Sequence, residues 1–512
     1  MLRGVLHDVQ KSINTPNLNQ FPYVFFLGIG GIGMSALARW FRANGHQVSG
    51  YDKTETPLTL ALTAEGIAIH YTDSVANIPA EIRENRVQTL IVLTPAIPAD
   101  SLEWAWLRAE GYDIRKRSQV LGVLTHGRYT IAVAGTHGKT TTSSMVAHLL
   151  HHAGHDVGAF LGGISVNLDS NLLLPGYSEV SPSLPPSSQK ENAENEAVAD
   201  NGKLKLTAQV PIVVEADEYD RSFLTLFPDV AIVTSTDADH LDIYGNQSAL
   251  IDSFRQFVAQ IKPGGTLLLN HTADASVAAA VPPGTRVIRY GLSPEQGPEL
   301  YAANITTEGH RFHFDLHRPE STVLGLELAV PGYHNVENML AAAAVAQLQG
   351  VGAEQLRAGV AAYRGVKRRF EFVVTAPENV YLDDYAHHPR EIEAFLRSVR
   401  ALYPTRRVRV IFQPHLFTRT RDFAAGFSKS LSIADEVFLL DIYPAREKPL
   451  SGVSSEMLLA DITAPTKALV TKEQALAAAQ TDMSFDVLAT VGAGDIDTLV
   501  PQLKLILAER WK

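Results

Sequence analysis

The residues best suited to chemistry form a glycine-rich turn, G-T-H-G-K-T-T, at positions 135–141. An apolar, β-branched run over residues 129–134 precedes it and predicts a buried strand, and a helix with an apolar face follows. In such a turn backbone N–H groups converge on a phosphate, a lysine reaches the outer phosphates and a hydroxyl can ligate Mg²⁺. The pattern is shorter than the usual G-x-x-x-x-G-K-[S/T], but its context favours a nucleotide-phosphate site over a plain tight turn. The residues of this predicted site are Gly135, Thr136, His137, Gly138, Lys139, Thr140 and Thr141.

A second glycine-rich turn, G-I-G-G-I-G-M, follows a strand predicted over residues 23–27. Asp52 ends the next predicted strand, 19 positions after Gly33. This is the arrangement of a Rossmann unit, in which a diphosphate lies at a helix N-terminus and an acidic residue binds a ribose. The turn alone indicates a dinucleotide-dependent oxidoreductase or a site for a nucleotide-sugar diphosphate, with a purely structural turn as the alternative. Its glycines are Gly28, Gly30, Gly31 and Gly33.

Carboxylates follow two further predicted strands. The run over residues 210–215 ends in Glu215, where ATPases with a phosphate loop usually hold Mg²⁺. The strand predicted over residues 230–234 is followed by His240 and three aspartates, at the edge where open α/β sheets place ligands. An acidic loop can simply be solvated, but two such strand ends in one nucleotide domain favour a metal site. The aspartates are Asp237, Asp239 and Asp242.

The segment P-G-Y-H-N-V-E-N, at positions 331–338, precedes an alanine-rich helix that we predict over residues 339–348. Asparagine side chains at the start of a helix can cap it or can hydrogen-bond a base. The residues alone favour neither role for Asn338.

A new α/β series follows residue 365. We predict strands over residues 380–384, 408–413, 436–441 and 487–492. Each ends in polar, chemically capable residues, namely D-D-Y-A-H-H-P, Q-P-H-L-F-T-R-T-R-D, D-I-Y-P-A-R-E and G-A-G-D. Four strand ends of one parallel sheet that carry polar groups to one edge indicate a substrate face.

Length and composition indicate a large globular chain. Its 512 residues suggest roughly three domains of about 150 residues each, which we place at 1–124, 125–366 and 367–512. Hydrophobic residues make up 46% and charged residues 19%, so large cores can form. Residues 175–209 are rich in Ser, Pro, Asn and Glu and predict a flexible surface insertion.

Several protein classes are disfavoured. No apolar run approaches the length of about 18 residues that a membrane span needs, and the N-terminus lacks the apolar core of a signal peptide. There is no cysteine, hence no disulfide or thiolate metal site, and a formal charge of −11 argues against general nucleic-acid binding. We therefore expect a cytoplasmic monomer or homodimer with small-molecule partners, and no nucleic-acid or membrane partner.

Taken in order, these motifs match those of the Mur ligases, and the chain resembles that family over nearly its whole length. The resemblance implies an α/β fold of three domains: a Rossmann-like UDP-binding domain, a central P-loop ATPase domain and a C-terminal Rossmann-like α/β domain. The matching segments are G-I-G-G-I-G-M-S, A-G-T-H-G-K-T-T-T, E-A-D-E-Y-D-R-S-F-L, T-D-A-D-H-L-D-I-Y, P-G-Y-H-N-V-E-N, G-V-K-R-R-F-E, D-D-Y-A-H-H-P, F-Q-P-H-L-F-T-R-T-R-D-F and G-A-G-D-I.

The resemblance also implies a reaction of peptidoglycan precursor biosynthesis. ATP phosphorylates the lactyl carboxylate of UDP-N-acetylmuramate, and the amine of L-alanine attacks the acyl phosphate to give an amide, ADP and phosphate. The G-x-G-G-x-G-M-S opening and the P-H-x-x-T-R-T-R segment resemble those of the member that adds L-alanine. The alternative is the related recycling ligase, which adds a pre-made tripeptide. A non-catalytic nucleotide-sensing module would not explain so many polar groups.

Roles for individual residues come with the resemblance. ATP and two Mg²⁺ ions are implied, with Thr140 and Glu215 holding one ion and His240 helping to hold the second. Asn338 would contact adenine, and Arg369 would reach the nucleotide from the third domain. The first glycine turn, with Asp52, would bind the UDP-sugar. The implied amino-acid pocket consists of Tyr385, His387, His415, Arg419 and Arg421. The implied catalytic residues are Lys139, His240, His387 and Arg419.

Three positions depart from the family pattern. Tyr219 stands where many members have serine, and Leu416 stands where many have arginine, which leaves open which arginine meets the alanine carboxylate. Arg255 occupies the position of a lysine that is carbamylated in other Mur ligases. We therefore predict no carbamate, and a guanidinium as the fixed positive charge there.

Overall fold

The computed structural model describes residues 18–176, 210–239, 241–445, 447–482 and 484–511. His240 and nearly all of the predicted insertion, residues 177–209, lie outside the described residues. The chain forms two compact units. The first unit comprises Met1–Gly163 and Leu168–Ile288, and the second comprises Ile164–Asn167 and Arg289–Lys512.

The first unit opens with a five-stranded parallel sheet of order β3-β2-β1-β4-β5. This confirms the Rossmann-like domain, since all the pairings are parallel and the chain passes from β3 at one edge of the sheet to β4 on the other side of β1. The strands are β1 (Tyr23–Leu27), β2 (Gln47–Tyr51), β3 (Ala68–His70), β4 (Thr89–Leu93) and β5 (Asp113–Lys116). The helices are Ile32–Ala43, Pro57–Ala64, Ala80–Glu84, Leu102–Ala109 and Arg117–Thr125.

A second sheet of the first unit has the order β11-β10-β6-β9-β7-β8. The pairs β11–β10, β10–β6, β6–β9 and β9–β7 are parallel. These strands are β6 (Thr130–Ala134), β7 (Gly158–Ser165), β8 (Ser170–Leu173), β9 (Ile212–Glu215), β10 (Val230–Val233) and β11 (Thr266–Asn270). The helices are Lys139–His152, Leu241–Tyr244 and Gln247–Val258. Two strands begin in the first unit and end in the second: β7, and the next strand, β12 (Arg286–Gly291).

One apolar core joins the two sheets of the first unit. It contains Val24 and Phe26 of β1 together with Ala132 of β6 and Val214 of β9, all of them fully buried. Parallel strands that are covered on both faces read as nearly continuous apolar runs, which is why these segments were predicted from the sequence. The helix Lys139–His152 differs from the prediction, because it is buried all round from Thr140 to Leu150 instead of on one face.

The second unit begins with an antiparallel meander that the sequence analysis did not identify. Its strands are β13 (Leu300–Glu308), β14 (Arg311–Arg318) and β15 (Ser321–Leu328). Two helices follow, Tyr333–Leu348 and Ala353–Ala362. The predicted helix start at residue 339 is wrong. The helix begins six residues earlier because Gly332 adopts a left-handed φ of 117° as its N-cap and Asn335 Nδ2 donates to the Pro331 carbonyl (2.7 Å).

A six-stranded sheet completes the second unit, with the order β16-β17-β21-β18-β19-β20. β16 is antiparallel and the other five strands are parallel. The strands are β16 (Glu371–Thr375), β17 (Val380–Asp384), β18 (Val408–Phe412), β19 (Glu436–Leu439), β20 (Thr466–Leu469) and β21 (Val487–Val491). The helices are Pro389–Leu402, Phe417–Asp422, Ala424–Leu431, Ser455–Asp461, Lys472–Thr481 and Val500–Arg510. The four predicted strands, β17, β18, β19 and β21, are neighbours, so their polar carboxyl ends meet at one edge.

Candidate active site

The phosphate loop follows β6 and is held by the end of β10. Gly135 and Gly138 have φ of 139° and 79°, values that side chains strongly disfavour. A Cβ at Gly135 would overlap the Thr234 hydroxyl. Ser235 Oγ accepts from the backbone N–H of His137 (2.8 Å) and lies 2.8 Å from the Thr136 hydroxyl. The contacts of Thr234 and Ser235 with the phosphate loop were not predicted, although both residues stand at a strand end.

Lys139 is the buried cation of this loop. Its Nζ donates to the Gly135 carbonyl (2.7 Å) and to Glu218 Oε1 (2.9 Å). Burial opposes the charge, but the carboxylates of Glu218, Asp217 and Glu215 outweigh it, so the pKa of Lys139 lies above its ordinary value. The lysine therefore stays protonated and presents a fixed positive charge. Glu218 was not predicted as its partner.

Glu215 ends β9, opposite Val133 of β6. Its Oε2 is buried and has no hydrogen-bond partner within the described part of the chain. A Cβ at Gly162 would overlap this carboxylate, so a larger residue there would displace the Glu215 side chain. An unpaired buried carboxylate oxygen is costly unless a cation or proton meets it, and carboxylate oxygen is a preferred ligand of Mg²⁺. Glu215 therefore fits the predicted metal ligand.

Among the described residues, no group of three or more histidines and carboxylates is arranged to hold a metal ion. The second predicted metal ligand, His240, lies outside the described residues. The predicted set, Thr140, Glu215 and His240, stays a prediction. Thr140 lies buried in the first turn of the helix Lys139–His152.

A cavity of about 240 Å³ lies within the first unit, and it is lined by residues that follow strands of the five-stranded sheet and by residues of β7 and β9. Gly31 and Gly33 of the first glycine turn border it on one side, and Glu215 and Asp217 on the other. Arg117 lies between them, and its Nη2 donates to Asp217 Oδ2 (3.1 Å). Arg117 was not predicted as a site residue, although it directly follows β5 and so stands at a strand end like the others.

The first glycine turn is fastened to the end of β2. The backbone N–H groups of Gly28 and Ile29 donate to the Tyr51 carbonyl (2.8 and 3.0 Å), and that of Gly30 donates to Asp52 Oδ2 (2.7 Å). A Cβ at Gly30 would come within 2.8 Å of the same oxygen. Asp52 therefore supports the turn, and its contact with a ribose stays a prediction.

Asn338 and Arg369, the residues outside the phosphate loop that were predicted to bind the nucleotide, belong to the second unit. Asn338 is buried on the helix Tyr333–Leu348, and its Nδ2 lies 3.4 Å from Asn335 Oδ1. It is the sixth residue of that helix, which excludes a capping role. The guanidinium of Arg369 lies over the ring of Tyr385, with its Cζ 5.0 Å from the ring centre.

The second unit brings together three of the five residues predicted for an amino-acid pocket. The rings of Tyr385 and His387 meet edge to face with their centres 5.5 Å apart, and those of His387 and His415 are 6.3 Å apart. Arg419 is buried, whereas Arg421 is about half exposed and donates to Asp422 (2.7 Å). The burial of Arg419 makes it the better candidate to bind a carboxylate.

The electrostatics of this edge are set by burial. Asp384 ends β17 and accepts from the backbone N–H groups of Phe370 (2.7 Å) and Ala386 (2.8 Å). Burial raises the pKa of Asp384 to about 6, against the opposing charge of Arg369. His387 Nδ1 lies 3.0 Å from the Tyr385 carbonyl, which can only accept, so Nδ1 carries a proton; the Glu391 carboxylate lies 3.4 Å from the same nitrogen.

The structure describes the surroundings of Leu416 and Arg255, two of the three positions that depart from the family pattern. Leu416 precedes the helix Phe417–Asp422 with φ of 69°, a left-handed conformation that is costly for leucine. Arg255 is exposed on the helix Gln247–Val258, and its Nη1 lies 3.2 Å from Asp252 Oδ1 of the same helix. Its predicted role as the fixed charge in place of a carbamate stays a prediction.

Three Mur ligase families match successive parts of the chain. The Mur ligase family catalytic domain matches residues 23–129, the Mur ligase middle domain matches residues 133–346, and the Mur ligase glutamate ligase domain matches residues 368–494. No helix in the described part of the chain has the length and apolar character needed to span a membrane.

Full-length relatives agree. The chain is 42% identical to the UDP-N-acetylmuramate–L-alanine ligase of Cytophaga hutchinsonii, over 97% of this chain and 99% of the relative. It is 44% identical to the enzyme of that name from Parabacteroides distasonis, over 96% and 99%. Among solved structures, the UDP-N-acetylmuramate–alanine ligase of Thermotoga maritima is similar at a TM-score of 0.73 and 26% identity, covering 96% of this chain and 99% of that one.

Proposed function

The chain belongs to the Mur ligase family, and we propose that it is the ATP-dependent ligase that joins L-alanine to the lactyl carboxylate of UDP-N-acetylmuramate. The observation that carries this proposal is the pairing of Lys139 with Glu218, which follows β9 closely, together with a cavity that Glu215, Asp217 and the first glycine turn line. Full-length relatives more than 40% identical carry that name. The reaction belongs to peptidoglycan precursor biosynthesis.

The chemistry proceeds in two steps. A lactyl carboxylate oxygen attacks the γ-phosphorus of ATP, the bond to ADP breaks, and an acyl phosphate forms. The neutral amine of L-alanine then attacks the acyl carbon, the tetrahedral adduct expels phosphate, and the amine proton is lost to give the amide. Both steps depend on positioning and on neutralising phosphate charge, which Lys139 and the N–H groups of the phosphate loop supply.

Magnesium fits the site. We propose that Thr140 and Glu215 hold one Mg²⁺ and that His240 helps to hold a second. The support is the buried Oε2 of Glu215, which has no hydrogen-bond partner among the described residues; Glu215 lines the same cavity as Gly31. When bound, the ion would neutralise the phosphate oxygens of ATP. Lys139 stays paired with Glu218 on the neighbouring loop, so a phosphate must compete with that carboxylate for the lysine.

We assign the UDP-sugar to the cavity of the first unit and the amino acid to the polar edge of the six-stranded sheet. The cavity beside Gly31 and Gly33 suits the UDP-sugar, with Arg117 as a further cation for its anionic part. His387 and His415 suit the amino acid, with Arg419 for its carboxylate. Asn338 and Arg369 contact the nucleotide.

The domain boundaries at 1–124, 125–366 and 367–512 are part of this proposal. We also propose a cytoplasmic location, since the reaction consumes ATP and a sugar nucleotide, and a monomer or homodimer, which light scattering would distinguish. The recycling ligase is disfavoured, because the full-length relatives reported above carry the L-alanine name.

The test measures phosphate release from ATP with Mg²⁺ and UDP-N-acetylmuramate, in parallel with L-alanine, with the tripeptide, and with neither. We expect turnover and an amide product with L-alanine only. Turnover with the tripeptide only would assign the recycling reaction. No turnover with either would overturn the assigned substrates.

A further inference from the structure

We propose that Tyr385 is a positioning residue for Arg369, acting through the face of its ring, rather than a contact for the amino acid. This inference rests on the proposed nucleotide role of Arg369. Two guanidinium groups lie over the Tyr385 ring: Cζ of Arg368 is 5.1 Å and Cζ of Arg369 is 5.0 Å from its centre. Such distances give an attraction between a cation and the electron-rich ring face.

The two arginines differ in what else holds them. Arg368 Nε donates to Asp383 Oδ2 (3.1 Å), its Nη2 donates to the Gly492 carbonyl (2.7 Å), and its Nη1 lies 3.3 Å from Asp497. Its charge is therefore matched by carboxylates. Arg368 also adopts φ of 62°, and its carbonyl accepts from the Tyr385 N–H (2.7 Å), which fixes the base of the ring.

Arg369 lacks comparable hydrogen bonds and ion pairs among the described residues. Within the described residues its guanidinium donates no hydrogen bond, and the ring of Tyr385 is its side-chain contact. The buried carboxyl of Asp384 supplies opposing charge, but its two oxygens accept from the backbone N–H groups of Phe370 and Ala386. The guanidinium therefore keeps its hydrogen-bonding groups available for an incoming anion, while the ring restricts its rotamers before binding.

The same geometry argues against an amino-acid contact through the ring face. The guanidinium groups of Arg368 and Arg369 lie over the Tyr385 ring at nearly equal distances from its centre, and the rings of Tyr385 and His387 pack edge to face. His387 and His415 remain as the aromatic groups of the amino-acid pocket. Tyr385 thus connects the nucleotide contact to that pocket without belonging to it.

The test compares Tyr385→Phe, which keeps the ring, with Tyr385→Leu, which removes it. We expect Tyr385→Leu to weaken binding of a non-hydrolysable ATP analogue, measured by calorimetry, by about 2- to 30-fold. The KM for L-alanine should change less than about twofold, and Tyr385→Phe should restore nucleotide affinity. As a matched contrast, Tyr443→Leu removes a ring that stacks on His415 (5.8 Å) and should raise the KM for L-alanine instead.

A second measurement does not depend on the leucine variant folding. Phenylalanines with increasing fluorination at position 385 keep the shape of the ring but weaken its negative face, so nucleotide affinity should fall step by step. A flat series would overturn the proposal, as would Tyr385→Leu affecting only the KM for L-alanine. Arg369→Ala distinguishes failure of the Tyr385 proposal from failure of the proposed nucleotide role of Arg369. Unchanged nucleotide affinity in Arg369→Ala would refute the role of Arg369 itself.

Discussion

Replacing Lys139 by methionine tests the buried ion pair of the phosphate loop. Methionine keeps most of the apolar stem but removes the charge, and so leaves Glu218, which is fully buried, without its cation. Removing one partner of a buried ion pair costs about 3–5 kcal/mol of stability. We expect a loss of that size, together with the loss of ligase turnover, because the lysine also neutralises phosphate charge.

The pH dependence of this loss has a definite sign. Burial raises the pKa of Glu218, and removing Lys139, which opposes that shift, raises it further. A carboxyl whose folded pKa is raised stabilises the folded state below the unfolded value of about 4.3, and that contribution is lost as pH rises through the folded pKa. Lys139→Met should therefore lose more stability at pH 8 than at pH 5.

The assay is urea unfolding followed by fluorescence at pH 5 and pH 8, with turnover measured in parallel. The double variant Lys139→Met/Glu218→Gln is the matched control, because it removes both charges and should regain most of the stability without regaining turnover. UDP-N-acetylmuramate affinity should be nearly intact in a folded Lys139→Met. Equal stability of the single and double variants, or equal loss of sugar-nucleotide binding and turnover, would refute the reasoning.

Three further predictions concern the two sheet edges. Gly162→Ala should displace the Glu215 carboxylate and lower turnover by about 10- to 100-fold. A titration of turnover with Mg²⁺ should then reach its midpoint at a higher Mg²⁺ concentration. An unchanged midpoint would contradict the role of Glu215 as a metal ligand. Arg117→Ala should raise the KM for UDP-N-acetylmuramate in steady-state kinetics. Asp217→Asn should not raise this KM, because it releases Arg117 from its ion pair (3.1 Å) and leaves the guanidinium in place. Equal effects of the two variants would argue against a contact between Arg117 and the sugar nucleotide. Burial raises the folded pKa of Asp384 to about 6, so the carboxyl favours the folded state below about pH 4 and loses that contribution as pH rises through 6. Asp384→Asn should therefore flatten this part of the pH–stability curve in urea unfolding. An unchanged slope would show that the carboxyl titrates normally.

Much of the site was predictable because its chemistry is local. The phosphate loop and the first glycine turn depend on residues within a few positions of one another, so their glycines, lysine and hydroxyls can be read directly. The polar ends of β17, β18, β19 and β21 were also predictable, since parallel strands of one sheet end at one edge. The meander β13–β15 was missed because alternating, half-exposed antiparallel strands give weaker signals than buried parallel ones.

The sequence by itself determined the family, the three α/β domains of the fold and which residue types stand at the strand ends. The tertiary structure decided which of them meet. Lys139 pairs with Glu218 from 79 positions away, and Arg117 pairs with Asp217 from 100 positions away. Strand order and the direction of each side chain set such pairings, and no local pattern of residues encodes either. The contacts of the Tyr385 ring with the guanidinium groups of Arg368 and Arg369 are likewise a result of tertiary structure.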